Sequence, residues 1–297
     1  MSVLLALLPD FVLILLGRML KRSVAEAAWA GIDRLNYLIL FPSLIFIAAL
    51  GRQPAAADLL TIGLGVWSII FLGMGLAWLV RPLGPARFLD FAGTWQTAWR
   101  FNTALGFVAI QALPEGARAL LSIAIGLAVP LANILAVSAL SRGHAASLGR
   151  TVVQVVTNPF LIASVGGMTL SILGIELPHL VRTPLEHLAE TALPIALLSI
   201  GAALDWRALL RLDPFMLAIN AIKLLILPAA TYAATWLLGV PPLHSAVLVV
   251  FAALPTASAA HVLASVFGAD RQIVATLIAQ TTFIGCVTLP LWLILVA

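Results

Sequence analysis

Long apolar runs separated by short polar turns recur ten times along the chain, at residues 2–20, 34–50, 58–80, 95–113, 117–140, 158–177, 184–204, 214–238, 245–267 and 272–296. A helix that crosses a bilayer needs about 20 mostly apolar residues, and each run is close to that length. The turns carry Pro, Gly and charge, as in Arg81-Pro82-Leu83-Gly84-Pro85 and Gly239-Val240-Pro241-Pro242. The longest linker, Ser141 to Thr157, contains Arg142, His144 and Arg150 and is expected to include a short amphipathic helix on the membrane surface. No stretch between the runs is long enough for a soluble domain. No Lys or Arg precedes the first run, Asp10 interrupts it, and Arg18, Lys21 and Arg22 follow it. That pattern predicts a retained first span, because a cleaved signal carries its charge in front and small residues behind.

Composition narrows the class. Hydrophobic residues make up 62% of the chain and charged residues 9%, against about 25% charged in soluble domains. So few charges cannot cover a water-facing surface. The net charge of +4 comes from cations scattered as ones and twos, whereas nucleic-acid binding needs a concentrated basic footprint. Nucleic acid is therefore excluded as a partner. The cations instead report topology, since Lys and Arg accumulate on the cytoplasmic side. The loops and flanks after the odd-numbered runs hold eleven of them (Arg18, Lys21, Arg22, Arg34, Arg81, Arg87, Arg142, Arg150, Arg207, Arg211 and Arg271). Those after the even-numbered runs hold three (Arg52, Arg118 and Arg182). Both termini are thus expected to be periplasmic or extracellular. The single cysteine, Cys286, lies in an apolar run, so an intrachain disulfide or a cysteine metal site is excluded. No cofactor or metal is expected.

The two halves echo each other. Thr103 in span 4 and Thr256 in span 9 are 153 residues apart, and each is followed by an arginine fifteen positions on, Arg118 and Arg271. Pro42 in span 2 and Pro194 in span 7 differ by 152. A five-span unit used twice must insert the second copy from the opposite side, giving an inverted repeat. Many secondary transporters are built this way, with the substrate site at mid-membrane where discontinuous helices meet. The expected organisation is a first repeat at 1–140, a linker at 141–157 and a second, inverted repeat at 158–297.

Leu254-Pro255-Thr256-Ala257-Ser258-Ala259-Ala260-His261, followed by Gly268-Ala269-Asp270, Thr281-Thr282 and Thr288-Leu289-Pro290, resembles the C-terminal signature of the auxin efflux carrier family. Asn158-Pro159, Leu193-Pro194 through Gly201, and Lys223 followed by Pro228 are similar to its second half. Leu16-Gly17-Arg18, Phe41-Pro42-Ser43-Leu44 and Arg100-Phe101-Asn102-Thr103 are similar to its first half. The resemblance covers nearly the whole chain. It implies an all-helical fold of ten spans in two inverted repeats, related to the bile-acid/sodium symporters. Spans 1, 2, 6 and 7 would form a scaffold, and spans 3–5 and 8–10 a moving transport unit, with spans 4 and 9 interrupted and crossing. It also implies a permease for malonate, malate or similar organic anions in the bacterial inner membrane, compatible with a homodimer. Asn102 and Thr103 fall on the span-4 crossing motif, and Pro255 and Thr256 on that of span 9. One departure is the lack of the proline that family members often carry after the span-4 asparagine. Here the run is Ala104-Leu105-Gly106-Phe107-Val108-Ala109, which leaves Gly106 as the only local weakness.

The residues in these runs carry chemistry of their own. Pro255 removes one helix hydrogen bond, and Thr256 and Ser258 offer hydroxyls beside it. In lipid, backbone groups freed in this way must be re-satisfied or line a cavity. Half-helix N-termini there present partial positive charge suited to a carboxylate. The bland alternative is a kink capped by those hydroxyls. Lys223, about nine residues into span 8, could attract the anion, pair with a carboxylate such as Asp10, or bond broken-helix carbonyls. Arg100 either snorkels to the cytoplasmic surface or serves anion entry. His261 either relays protons or packs, and it faces the crossing if span 9 stays helical past Pro255. Gln280, Asn133 and Gln96 are interhelical glue or site lining.

The leading function is an alternating-access carrier of small mono- or dicarboxylates, elevator-like, with lipid as its surroundings. The coupling ion is left open between a proton and sodium. Spans 4 and 9 contain no Asp or Glu, which favours proton coupling or uniport. A sodium-coupled symporter of the bile-acid type is the alternative within transport. An intramembrane enzyme is the remote alternative, because no His-Glu-x-x-His and no pair of Asp lies within the spans.

Overall fold

The computed structural model describes residues 12–13, 15–50, 55–141, 153, 156–157, 159–203, 213–257 and 259–296. Every regular element among them is a helix. In chain order these are α1 (Glu26–Leu50), α2 (Ala56–Leu79), α3 (Phe88–Trp95), α4 (Thr103–Ala109), α5 (Ala117–Leu140), α6 (Pro159–Ile172), α7 (His179–Ala203), α8 (Pro214–Leu237), α9 (Pro242–Ala253), α10 (Ala259–Phe267) and α11 (Arg271–Val296). Among the described residues, α1, α2, α5, α8 and α11 are each long and apolar enough to cross a membrane. At about 1.5 Å per residue, 24 residues span roughly 36 Å, more than a hydrocarbon core of about 30 Å. Large apolar side chains such as Leu64, Phe71, Leu79, Trp236 and Leu237 lie exposed on the outside. Such a surface is satisfied by lipid rather than water.

The apolar pattern placed most helices within a few residues. Helix α5 fills the run read from the sequence from end to end, whereas α1 starts eight residues before its run, over the mixed segment from Glu26 to Asp33. Span 4 differs most. It is two helices, and the first begins at Phe88 rather than at residue 95. The proposed surface helix in the 141–157 linker falls almost wholly outside the described residues.

Two turns fix how the interrupted helices enter. Gly239 at φ +62° ends α8, and the Val240 N–H returns to the Thr235 carbonyl at 2.9 Å. Gly268 at φ +72° ends α10, with the Ala269 N–H on the Ala264 carbonyl at 2.9 Å. Both are helix stops that need the left-handed conformation glycine supplies. Beyond Gly268, Asp270 Oδ1 caps α11 by accepting from the Gln272 and Ile273 N–H groups at 2.9 and 3.3 Å. The Asp270 N–H in turn donates to Asp90 Oδ1 of α3 at 2.8 Å, tying the outer ends of α3 and α11 together.

Helix α1 packs against α6 and α7, while α2 packs on α5 and α9, and α9 on α8 and α11. The α1–α6 contact is backbone-close, for a Cβ on Gly167 would stand 2.7 Å from the Phe46 carbonyl oxygen. Two π-turns interrupt long helices, at Asn36–Leu40 in α1 and Ile222–Ile226 in α8. Each ends two residues before a proline, Pro42 and Pro228, which cannot return an N–H to the turn behind it. Four residues before Pro228, the Leu224 carbonyl is served instead by the Trp292 indole N–H at 2.9 Å, and near Pro42 Ser43 Oγ donates to the Ile39 carbonyl at 2.8 Å.

Candidate functional site

Span 9 stops being helical over Leu254–Ala257, between α9 and α10. Span 4 is interrupted from Trp99 to Asn102, after a 3-10 turn at Gln96–Ala98 and before α4. No proline is needed there. Asn102 is extended (φ −87°, ψ 103°), and its Oδ1 accepts from the Leu105 N–H at 3.2 Å, so it starts α4 as an N-cap. Asparagine is among the best residues for that position. The weakness assigned to Gly106 is therefore misplaced. Gly106 is helical, and its missing side chain makes room for Leu254, whose Cδ1 would lie 3.0 Å from a Cβ there.

The two interruptions satisfy each other. The Asn102 N–H donates to the Pro255 carbonyl at 2.8 Å. Thr256 Oγ1 donates to the Thr97 carbonyl, and Gln96 Nε2 to the Ala260 carbonyl at 3.3 Å. The Thr256 N–H is taken by Thr281 Oγ1 of α11 at 3.3 Å. Backbone groups freed in an apolar interior cost free energy unless paired, so these reciprocal bonds are what permits two breaks at one depth. Phe101 and Phe251 flank the junction with ring centroids 4.5 Å apart. Gly285 of α11 admits Pro255, whose Cγ would be 2.5 Å from a Cβ on that glycine.

Two buried cations stand around the junction. Lys223, 1% exposed in the π-turn of α8, donates from Nζ to the Ala252 carbonyl at 3.2 Å. Ala252 lies in the last turn of α9, where the break leaves carbonyls without helical partners. Of the roles open to Lys223 in the sequence, the structure shows this one, and Asp10 lies outside the described residues. Arg100 is 6% exposed and does not snorkel. Its guanidinium donates to Gln96 Oε1 at 3.3 Å and to Asn133 Oδ1 at 2.8 Å, so span 5 holds it inside. Among the described residues neither cation has a carboxylate partner. Behind Lys223, Asn220 Nδ2 donates to Gln280 Oε1 at 2.8 Å, fixing α8 to α11.

The structure thus joins Asn102 with Pro255 and sets Gly106 against Leu254 and Lys223 on the Ala252 carbonyl, with Thr256 on Thr97 and with Arg100 and Thr103 flanking Asn102 in sequence. Ser258 lies outside the described residues. His261 lies in α10, which resumes at Ala259 beyond the break, with Nδ1 3.2 Å from the Arg271 carbonyl at the start of α11. Thr97 and Ala252 went unread in the sequence because they act through backbone carbonyls, which side-chain identity does not signal. Asp58 and His244, paired across 186 residues, were equally invisible.

Residues 141–293, just over half of the chain, match a family described as "Membrane transport protein". The chain belongs to that family. The auxin efflux carrier resemblance read from its residues is to this same family, and the chain is a multi-pass membrane transporter rather than an enzyme. A Rhizobium meliloti (strain 1021) protein described as "Putative malonate transporter" is 25% identical over 294 residues, covering 95% of this transporter and 92% of the relative. An "Uncharacterized transporter" from Methanothermobacter thermautotrophicus is 31% identical over 110 residues, 37% of this transporter and 36% of its own length.

Proposed function

We propose that this transporter carries small organic anions of the mono- or dicarboxylate class by alternating access, binding them beside the Asn102–Pro255 junction. The observation that carries the reading is the pairing of two interrupted helices through Asn102 and Pro255, and through Thr256 and Thr97, with Lys223 and Arg100 buried close by. A carboxylate is held best by oriented N–H and hydroxyl dipoles, together with cations not already neutralised. Asn102, Thr103 and Ser258 supply the polar contacts in this proposal, with Gly106, Pro255 and Thr256 shaping the junction. Lys223 and Arg100 set the charge, and His261 acts at most from the rim. The relative named for malonate supports the substrate class.

In this reading ten spans form two inverted five-span repeats. The α1, α6 and α7 group with span 1 is the scaffold, and the remainder moves as an elevator-like unit. The cation bias of the loops supports periplasmic termini in a bacterial inner membrane. The two buried cations favour a proton or no coupling ion over sodium, which would be repelled there. Uptake of labelled carboxylates by proteoliposomes containing the purified chain tests the proposal. Several-fold uptake above empty liposomes for at least one acid is expected, reduced by about tenfold in Asn102→Ala and Thr256→Ala proteins that remain folded. Normal uptake by both variants would remove the junction as the site.

A further inference from the structure

Span 3 ends in a cluster of aromatic rings with an arginine held over it. Helix α2 finishes at Leu79, which is 73% exposed, and the chain turns at once through a 3-10 turn at Arg81–Leu83. That turn is well braced. The Leu83 N–H donates to the Val80 carbonyl at 3.0 Å, and the Gly84 N–H to the Arg81 carbonyl at 2.9 Å. Gly84 is pressed against Phe215 at the start of α8, whose Cε2 would stand 2.9 Å from a Cβ there.

Arg81 Cζ lies 5.0 Å from the Trp78 ring centroid, 5.4 Å from that of Phe88 and 5.6 Å from that of Phe91. The rings are themselves fixed. Trp78 meets Phe91 edge-on at 5.7 Å, and the fully buried Phe91 lies 6.1 Å from Phe215. Aromatic rings attract the guanidinium charge but give its five N–H donors no strong acceptor. Arg81 is exposed, so those donors are open to the surroundings. Holding the side chain in one place also removes in advance part of the ordering cost of binding.

The neighbouring carboxylates are engaged elsewhere. Asp90 stands 3.8 Å from Arg87 and accepts the Asp270 N–H at 2.8 Å. Asp270 caps α11, and Asp213 caps α8 by accepting from the Phe215 and Met216 N–H groups at 2.9 and 3.1 Å. Among the described residues Arg81 has no ion-pair partner. The guanidinium is thus braced and not neutralised, two residues past the end of an apolar span. Trp78, Leu79 and Leu83 are exposed beside it. Tryptophan and exposed apolar residues next to a cation mark the depth of the lipid headgroups. A phosphodiester offers the paired oxygens that a guanidinium fork binds best.

We propose that Arg81, held over Trp78, Phe88 and Phe91, binds the phosphodiester headgroup of an anionic phospholipid at the membrane surface. The contact ties the corner between α2 and α3 to the headgroup layer. It depends on the chain lying in a membrane and not on which solute is carried.

Titration of phosphatidylglycerol into the full-length chain in a non-ionic detergent, with bound lipid counted by native mass spectrometry, tests this. Wild type is expected to hold one phosphatidylglycerol about fivefold more tightly than Arg81→Gln, the effect of one cation on an anionic headgroup. Arg118→Gln removes an exposed charge at the start of α5 and is expected to bind as wild type does. Arg81→Lys keeps the charge without the fork and is expected to fall below wild type; it carries the test should Arg81→Gln not fold. Equal losses in Arg81→Gln and Arg118→Gln would reduce the effect to net charge and overturn the site. Phosphatidylcholine bound as tightly as phosphatidylglycerol, or Arg81→Lys binding as tightly as wild type, would overturn it too. Displacement of the lipid by an equal concentration of inorganic phosphate would show a free-anion site and refute the headgroup assignment.

Discussion

The backbone N–H of Asn102 donates to the carbonyl of Pro255 at 2.8 Å, joining two helix interruptions 153 residues apart in sequence. Each break leaves backbone groups that the other satisfies. The break leaves the Pro255 carbonyl outside either half-helix, and the Asn102 N–H serves it from span 4 while the Asn102 side chain starts α4. Neither interruption is tolerable in lipid alone, because each exposes unpaired peptide groups.

Lys223 is 1% exposed and bonds the backbone carbonyl of Ala252. A buried cation bonded to one neutral carbonyl is often replaced by an apolar residue without loss of stability. Lys223→Met is therefore expected to keep or raise the Tm of the detergent-solubilised protein while cutting carboxylate uptake by about tenfold. A variant that unfolds would show that the ammonium holds the fold. One that transports normally would show that it does not serve the anion.

The fit of Pro255 against α11 depends on Gly285. A methyl there would stand 2.5 Å from Pro255 Cγ, and overpacking of this kind costs about 1–3 kcal/mol. Gly285→Ala is expected to lower thermal stability and slow uptake. Gly31→Ala, in α1 with nothing within 4 Å of the new methyl, is expected to do neither. Equal behaviour of the two variants in the same melt would contradict the packing described.

Trp292 stands in for a missing backbone donor. Pro228 cannot serve the Leu224 carbonyl, and the indole does so from α11 at 2.9 Å. Trp292→Phe leaves that carbonyl unpaired at a cost of about 1–3 kcal/mol. In a Pro228→Ala background the chain supplies its own N–H, so the same substitution is expected to cost measurably less. A double-mutant cycle of unfolding free energies checks this, and strict additivity would refute it.

Much of the helical layout was readable because lipid demands long apolar runs whose ends carry Gly, Pro and charge. The interruption at Pro255 was readable for the same reason, since proline announces a lost donor. The interruption at Trp99–Asn102 was not, because an N-cap asparagine in mid-span has the same letter as one packed in a helix, and no proline marks the break. Gly106 has the letter of a weak point, yet its role is to admit Leu254. The partners of Lys223 and Arg100 depend on which carbonyls and amides stand opposite, and these are set by packing of distant segments. The early start of α3 at Phe88 was missed because Asp90 sits in its first turn, where it accepts from the Asp270 N–H across 180 residues.

The central claim is that a carboxylate binds where Asn102 meets Pro255. Labelled malonate uptake by wild-type and Asn102→Asp proteoliposomes tests it most directly, because aspartate caps a helix as well as asparagine does but adds a negative charge. Wild type is expected to accumulate label, and Asn102→Asp to retain its Tm within a few degrees yet lose uptake by about tenfold or more through charge repulsion. Undiminished uptake by the folded aspartate variant would place the anion elsewhere.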